Sequence, residues 1–288
     1  MVLQLQIECH RDDVEELSDF LEETGALSIT FTDKYDDPIL EPELGTTPLW
    51  SNVIIQALYE KQEDAEHASS AFNTQYPKFL TSLAAVPEED WERVWMTQFT
   101  PLQFGRRLWI VPSWITPPDP NACNLILDPG LAFGTGTHPT TSLCLTWLDN
   151  AELVDKRVVD YGCGSGILAL AAIKLGAKHV YAVDIDEQAL MASRNNAEMN
   201  QVPSELISVC FPDELQLKTD LIMANILLTP LLSLKMRFYH VLEKEGMLVV
   251  SGILVDQTQE LIEAYQDCFK HESTTTREEW ALVTFKAI

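Results

Sequence analysis

The sequence has no paired cysteines, no metal-binding spacing and no long apolar run. None of its cysteines forms a CxxC pair and none of its histidines belongs to an HExxH motif, so we expect no metal site. Scattered cysteines favour free thiols in a reducing compartment over disulfides. The amino terminus has no basic segment followed by an apolar stretch, and no apolar run approaches a membrane span. We therefore expect a cytoplasmic protein that does not bind membranes.

Basic residues are also scarce. The 288 residues include 19 Lys and Arg against 44 Asp and Glu, a formal net charge of −25. Such a surface repels phosphate backbones, so we expect no direct binding to nucleic acid. It attracts basic partners such as a basic protein, although an acidic surface that only aids solubility also fits the charge. Apolar residues make up 46% of the chain, and its length leaves room for two domains.

The amino-terminal part of the chain has the pattern of a small α+β domain. Apolar and polar residues alternate in four segments, and two segments have helical periodicity, in the order β-α-β-β-α-β over residues 1–86. This order is typical of a ferredoxin-like fold. Residues 1–86 contain 17 acidic and 4 basic residues, a net charge of −13. We therefore predict a ferredoxin-like domain with an acidic surface over residues 1–86.

The remainder of the chain predicts a linker and a larger domain. Residues 87–99 have the pattern of a helix and 108–111 of a short strand, which together suggest a linker over 87–124. From residue 125 to 288, strands alternate with helices, which indicates a mostly parallel sheet with helices on both faces, a Rossmann-like α/β fold. Strands are predicted at 158–161, 179–185, 207–211, 220–225, 247–253 and 278–285, and helices at 168–175 and 188–199.

The strongest local motif is a glycine turn after the first of these strands. The run VVDYGCGSGI at 158–167 places glycine at 162, 164 and 166, which allows a tight turn and close approach of a ligand. A dinucleotide fingerprint needs glycine at 167, where the chain has Ile167. The motif therefore fits a nucleoside with an amino-acid tail, such as S-adenosylmethionine, or a turn without a ligand. We expect Gly162→Val to block binding and to leave the fold largely intact.

An acidic residue follows the next predicted strand. Asp184 lies 24 residues beyond Asp160, at the carboxyl end of a neighbouring strand. A carboxylate in this position can accept hydrogen bonds from both ribose hydroxyls of an adenosine. Asp186, which precedes the next helix, is more simply explained as its N-cap.

Two further segments are candidates for the site. The run DPGLAFGTGTHPTT at 128–141 lacks a GK[ST] ending and suggests a flexible cover over a ligand, while Thr140 or Thr141 could cap a helix that begins near Ser142. His138 could be a base or a structural loop residue. Asn225 ends another predicted strand, where an amide points into the ligand crevice or satisfies local backbone.

These runs resemble one family. The segments at 128–141, 160–172 (DYGCGSGILALAA) and 224–227 (ANIL) are similar to the bacterial methyltransferases of ribosomal protein L11. WERVW at 91–95 and LWIVPSW at 108–114 match the linker region of that family. The resemblance covers the linker and nearly all of the second domain. In the first domain it is limited to the order of elements and to acidity.

The resemblance implies a class I methyltransferase domain that uses S-adenosylmethionine without a metal. It implies that the small domain recognises ribosomal protein L11, and that the enzyme methylates the N-terminal α-amine and lysine ε-amines of that protein. The cofactor positions of the family fall on Thr141, Gly162, Asp184 and Asn225. We assign Asn225 a catalytic role as well, because its amide can accept a hydrogen bond from the amine. We expect a monomer.

Other functions remain open at this point. The acceptor could be another basic protein or a small-molecule amine. Methyltransferases of nucleobases or glutamine usually have an Asn/Asp-Pro-Pro-aromatic run, whereas this chain has NILL at 225–228. A nucleotide-binding or assembly protein without enzymatic activity is a further alternative, and binding of S-adenosylmethionine together with labelling of a basic ribosomal protein would distinguish it.

Overall fold

A computed structural model of the chain describes residues 2–35, 37, 39, 45–86, 99–128 and 136–288. The chain forms two compact units, Met1–Val94 and Trp95–Ile288. The helix predicted at 87–99 lies almost wholly outside the described residues. Within the described ranges, no helix has both the length and the apolar character needed to cross a membrane.

The first unit has the predicted β-α-β-β-α-β order. Its strands are β1 (Leu3–His10), β2 (Ser28–Asp33), β3 (Asn52–Tyr59) and β4 (Leu80–Ala85), and its helices are α1 (Val14–Glu23) and α2 (Gln62–Gln75). The strands pair antiparallel in the sheet order β2-β3-β1-β4. Leu5, Ile7 and Ile55 are fully buried because alternate residues of a strand point to one face, and the helices cover that face with Leu17, Leu21 and Phe72.

The second unit begins with a small three-stranded sheet. It consists of β5 (Leu102–Phe104), β6 (Leu108–Val111) and β7 (Cys123–Ile126), in that spatial order. β7 runs parallel to β6 and crosses position 124, where the sequence suggests the end of a linker. Asn200 fixes β7 to the rest of the unit, since its side chain exchanges hydrogen bonds with the backbone N and O of Ile126.

A seven-stranded sheet forms the centre of the second unit, in the order β10-β9-β8-β11-β12-β14-β13. β8 to β12 are parallel, and β14 lies antiparallel between β12 and β13. The strands are β8 (Arg157–Tyr161), β9 (His179–Val183), β10 (Ile207–Cys210), β11 (Thr219–Asn225), β12 (Leu242–Leu254), β13 (Phe269–Arg277) and β14 (Trp280–Ala287). The helices are α3 (Pro139–Asn150), α4 (Ile167–Lys174), α5 (Glu187–Met199), α6 (Leu228–Val241) and α7 (Thr258–Tyr265).

The sequence predicts the parallel strands β8 to β12 more completely than the edge of the sheet at β13. Every predicted strand is present, although β9 ends two residues early and β12 begins five residues early. β13 was not predicted because only Phe269 of its nine residues is buried, so it lacks apolar alternation. α6 was also missed, since its dense apolar residues do not separate clearly into two faces.

Candidate functional site

The parallel strands meet in a crevice between β8 and β11. From β8 the chain continues to β9 and β10 on one side, whereas β11 leads to β12 on the other. In open α/β sheets, ligands bind at the carboxyl ends of the strands where this order reverses. Gly162 directly follows β8, and Asn225 is the last residue of β11. The fold therefore places both predicted residues at this crevice.

The three glycines after β8 all have positive φ, namely 80° at Gly162, 51° at Gly164 and 78° at Gly166. A Cβ on Gly162 would lie 2.4 Å from Cγ2 of Ile226, far inside van der Waals contact. The expectation that Gly162→Val leaves the fold intact is therefore wrong, because a valine would meet both backbone strain and this clash. The fold itself therefore disfavours a side chain at position 162, whether or not a ligand is bound.

Ile226 is enclosed from a second side by another glycine. Gly252 in β12 has φ +84°, and a Cβ there would lie 2.7 Å from the backbone O of Ile226 and 2.9 Å from its backbone N. The backbone of Ile226 therefore packs directly on Gly252, while its side chain packs on Gly162. This arrangement fixes the segment after β11 against the glycine turn after β8.

Asp184 follows β9 directly and is held by two backbone amides. Its Oδ2 accepts a hydrogen bond from the amide of Gly164 at 3.0 Å, and its Oδ1 accepts one from the amide of Asp186 at 3.0 Å. Each carboxylate oxygen keeps further acceptor capacity for a ligand. Asp186 caps α5 through the amide of Gln188 at 2.9 Å, which confirms the predicted N-cap.

Thr141 and Asn225 form a hydrogen-bonded pair across the crevice. The Asn225 Nδ2 donates to Oγ1 of Thr141 at 3.4 Å. The Asn225 Oδ1 is buried and has no hydrogen-bond partner within the described part of the chain. Buried polar atoms in native proteins are almost always satisfied, so this oxygen calls for a donor from a ligand.

The helix that supplies Thr141 starts earlier than the sequence suggested. α3 begins at Pro139, and its N-cap is His138, whose Nδ1 accepts from the amide of Thr140 at 3.3 Å. The prediction that Thr140 or Thr141 caps a helix near Ser142 is therefore wrong, because Pro139 fits the first helical position. Burial lowers the pKa of His138, which favours the neutral ring that such an acceptor needs. Its role in the fold is structural, and Thr141 remains available to the crevice.

Asp160 is a buried carboxyl beneath the glycine turn that the site prediction did not include. Burial raises its pKa to about 7, against the opposing effect of a hydrogen bond that Oδ2 accepts from the amide of Ala169 at 2.9 Å. The Asp184 charge contributes to the same rise. Asp160 thus links the end of β8 to the first turn of α4. An acidic residue within a strand that is otherwise apolar was the available signal.

Thr141, Gly162, Asp184 and Asn225 line one pocket of about 340 Å³. The sequence analysis did not identify the apolar wall of the pocket. This wall comes from four parts of the chain: Tyr161 at the end of β8, Ile185 after β9, Ile226 after β11, and Pro230 and Leu234 on α6. Pro230 and Leu234 lie on α6, which has no motif that points to a site. The pocket thus combines a glycine-lined turn, a carboxylate and an unsatisfied amide oxygen, which fits S-adenosylmethionine. The described residues contain no group of three or more side chains that could hold a metal.

The strand order of this parallel sheet reverses beside the glycine turn, and one antiparallel strand lies just before the last strand. This is the architecture of class I methyltransferases. The protein is therefore an S-adenosylmethionine-dependent methyltransferase of this class.

Comparison with known proteins identifies the family. The ribosomal protein L11 methyltransferase family matches residues 1–287, and the chain belongs to this family. A ribosomal protein L11 methyltransferase from Legionella pneumophila (strain Philadelphia 1) is 56% identical over 286 residues, which is 99% of each chain. The one from Haemophilus influenzae (strain PittEE) is 48% identical and covers 99% of this chain and 98% of the relative. The crystal structure of a ribosomal protein L11 methylase from Lactobacillus delbrueckii subsp. bulgaricus superposes with a TM-score of 0.61 at 33% identity, over 66% of this chain and 99% of that one.

Proposed function

We propose that this chain transfers methyl groups from S-adenosylmethionine to the N-terminal α-amine and lysine ε-amines of ribosomal protein L11. Membership of the family and the names of its relatives support the acceptor. The observation that carries the chemistry is the buried Asn225 Oδ1, which has no partner in the described ranges and lies in the same pocket as Asp184 and the glycine turn.

Four residues are proposed to hold the methyl donor. Asp184 accepts hydrogen bonds from the ribose hydroxyls. Gly162 forms the tight turn that brings the backbone after β8 to the ligand. Thr141 and Asn225 contact the ligand from the other side of the crevice, where they already bond to each other. The apolar wall excludes water from the reacting atoms, which strengthens these polar contacts.

The reaction requires a neutral amine, because its nitrogen lone pair forms the new N–C bond as the S–CH₃ bond breaks. The donor supplies a methyl group on a positively charged sulfur, and the sulfur leaves as part of a neutral thioether. An α-amine with a pKa of ~8 is partly neutral at working pH, whereas a lysine near ~10.4 must first release its proton to solvent. Asn225 Oδ1 can accept a hydrogen bond from the amine and orient its lone pair. Most of the rate then comes from alignment of the reacting atoms.

Residues 1–86 are proposed to recognise the acceptor protein. They have no cofactor motif and a net charge of −13, so they attract a basic protein during encounter. We propose that the enzyme works in the cytoplasm as a monomer and does not bind nucleic acid directly. Deletion of residues 1–86 should preserve S-adenosylmethionine binding and abolish methylation of ribosomal protein L11. A folded truncation that methylates at the full-length rate would assign recognition to the second unit instead.

The direct test combines the purified chain, methyl-labelled S-adenosylmethionine and ribosomal protein L11, followed by mass spectrometry of the acceptor. We expect label at the α-amine and at lysines, and about 100-fold slower labelling with Asn225→Ala. A second basic ribosomal protein and free lysine serve as control acceptors. Label on free lysine alone would favour a small-molecule amine as substrate, and label on both proteins alike would favour a broader protein methyltransferase. Donor binding without label on any acceptor would contradict the proposal.

A further inference from the structure

β13 is an exposed edge strand of the seven-stranded sheet. It pairs with β14 on one side, and no strand within the described residues pairs with its other side. Residues 270–277 are all exposed. An unpaired edge offers a row of backbone N–H and C=O groups to any extended chain, and proteins usually protect such edges.

The protection of this edge is confined to the end that lies far from the pocket. There, β13 has an irregular register between His271 and Ser273, and Lys270 pairs with Glu272 at 2.9 Å. The other half, Thr274 to Thr276, contains neither a charge nor a proline. Threonine is favoured in strands, so this half is well suited to pair with an added strand.

The unprotected half points toward the methyl-transfer pocket. Arg277 pairs with Trp280, and Trp280 pairs with Leu254 beyond the carboxyl end of β11, so this end of the hairpin lies at the pocket edge of the sheet. The Arg277 guanidinium donates to the hydroxyl of Ser142, the residue after Thr141. The edge and the pocket are therefore connected through the first turn of α3.

The register shows which backbone groups are free. Arg277 and Trp280 close a two-residue turn, so the backbone groups of Arg277 face β14. Residues of an antiparallel pair alternate in direction, so Thr275 also faces β14, whereas Thr274 and Thr276 direct their N–H and C=O groups away from the sheet.

Charge near this end favours a basic partner. The turn consists of Glu278 and Glu279. Burial lowers the pKa of His138, and the charge of Glu278 partly opposes this effect. The Glu278 carboxylate is therefore close to His138, at the start of α3. Lys270 is paired with Glu272, whereas Arg277 donates to the uncharged hydroxyl of Ser142 and keeps its charge, so residues 277–279 together have a net charge of −1.

We propose that Thr274 and Thr276 bind an extended segment of the methyl-acceptor protein as an eighth strand of the sheet. This inference rests on the proposed function. Four strand spacings separate the added strand from Asn225, about 19 Å at ~4.8 Å each. An extended chain spans this distance in about six residues at ~3.3 Å each. The paired segment therefore lies about six residues from the amine that is methylated.

Proline substitutions test this strand addition. Thr274→Pro and Thr276→Pro each remove one outward N–H and leave the pairing with β14, since proline is tolerated on edge strands. Thr274→Val and Thr276→Val are the matched controls, because they keep the N–H and the branched side chain. We expect each proline variant to raise the KM for ribosomal protein L11 about three- to tenfold, as the loss of one hydrogen bond implies, with unchanged donor affinity. The valine variants should match the wild type.

Hydrogen exchange on the wild-type enzyme provides a measurement that needs no variant. With ribosomal protein L11 and the demethylated donor bound, the amides of Thr274 and Thr276 should exchange more slowly, and that of Thr275 should change little. Equal KM for the proline and valine variants, or no protection of these two amides, would overturn the inference while the wild-type methylation result still stands. A wild-type dimer that the proline variants dissociate would assign the edge to a second copy of the chain. Absence of any methylation by the wild type would count against the proposed function instead.

Discussion

The Asp184 carboxylate accepts a hydrogen bond from the Gly164 amide at 3.0 Å, which connects the end of β9 to the glycine turn after β8. The same carboxylate is the proposed ribose ligand, so its position is set before the donor binds. Binding then requires little reorganisation of this side of the pocket.

Asp184→Ala should weaken S-adenosylmethionine binding by at least about tenfold, because hydrogen bonds to a charged group contribute roughly 1.5–3 kcal/mol each. Calorimetry on the folded variant measures this. Asp186→Ala is the matched control: it removes a neighbouring carboxylate that caps α5, so it should cost about 1 kcal/mol of stability and leave affinity unchanged. Equal affinities of the two variants for S-adenosylmethionine would show that Asp184 does not bind the ribose.

Asn225→Ala should lower kcat on ribosomal protein L11 by about 100-fold or more, because the amine would lose the acceptor that orients it. Thr141→Val removes the hydroxyl that holds the amide and should cost about tenfold in kcat, whereas Thr141→Ser should remain close to wild type. A separate measurement of S-adenosylmethionine affinity distinguishes an effect on donor binding from an effect on the orientation of the amine. A Thr141→Val enzyme with normal kcat would show that the pair does not position the amine.

Gly162→Ala should destabilise the fold by more than backbone strain alone, since the new Cβ would lie 2.4 Å from Cγ2 of Ile226. Gly25→Ala is the control: Gly25 has φ +87° with nothing within 4 Å of a Cβ, so it reports only the left-handed cost of roughly 1–2 kcal/mol. Urea unfolding of both variants gives the difference. Equal losses would mean that Ile226 moves freely, and Gly162→Ala/Ile226→Ala should recover part of the stability.

Asp160 should make the fold less stable as pH rises from about 4 to 7. Burial raises its pKa from 3.8 to about 7, so between these values the folded protein holds a proton that the unfolded chain has released. The free energy of unfolding then falls by up to ~1.4 kcal/mol per pH unit from this group. Asp160→Asn lacks this titration, so its stability relative to wild type should increase from pH 5 to pH 8 in urea unfolding. Parallel stability curves would contradict the assignment.

Association with ribosomal protein L11 should slow roughly tenfold or more when salt rises from low to physiological concentration. The formal charge of −25 attracts a basic protein over a distance that salt shortens to ~8 Å. Stopped-flow mixing at several salt concentrations measures the association rate, and the dissociation rate should change far less. A rate that does not depend on salt would show that charge does not guide the encounter.

Three of the residues that line the pocket could be located from the sequence. Gly162, Asp184 and Asn225 each stand where a short apolar strand ends, so the periodicity that predicts the strands also locates the residues. Pro230 and Leu234 could not be found in this way, because they reach the pocket through the packing of α6 and not through a local motif.

Backbone details decided the remaining differences. The N-cap of α3 is His138 and not the predicted threonine. The helix begins at Pro139, and the His138 ring nitrogen accepts a hydrogen bond from the amide of Thr140. The exposed strand β13 forms through its pairing with β14 and has no apolar pattern of its own. Sequence periodicity therefore could not predict it.

The packing of Ile226 between Gly162 and Gly252 limits how this pocket can evolve. A larger residue at any of the three positions needs compensating change at another, so they should vary together or remain fixed. Pro230 and Leu234 line the same pocket from α6 and are not part of this three-residue packing. Changes of acceptor range among related enzymes, or by directed evolution, should therefore accumulate on α6 and spare the segment after β11.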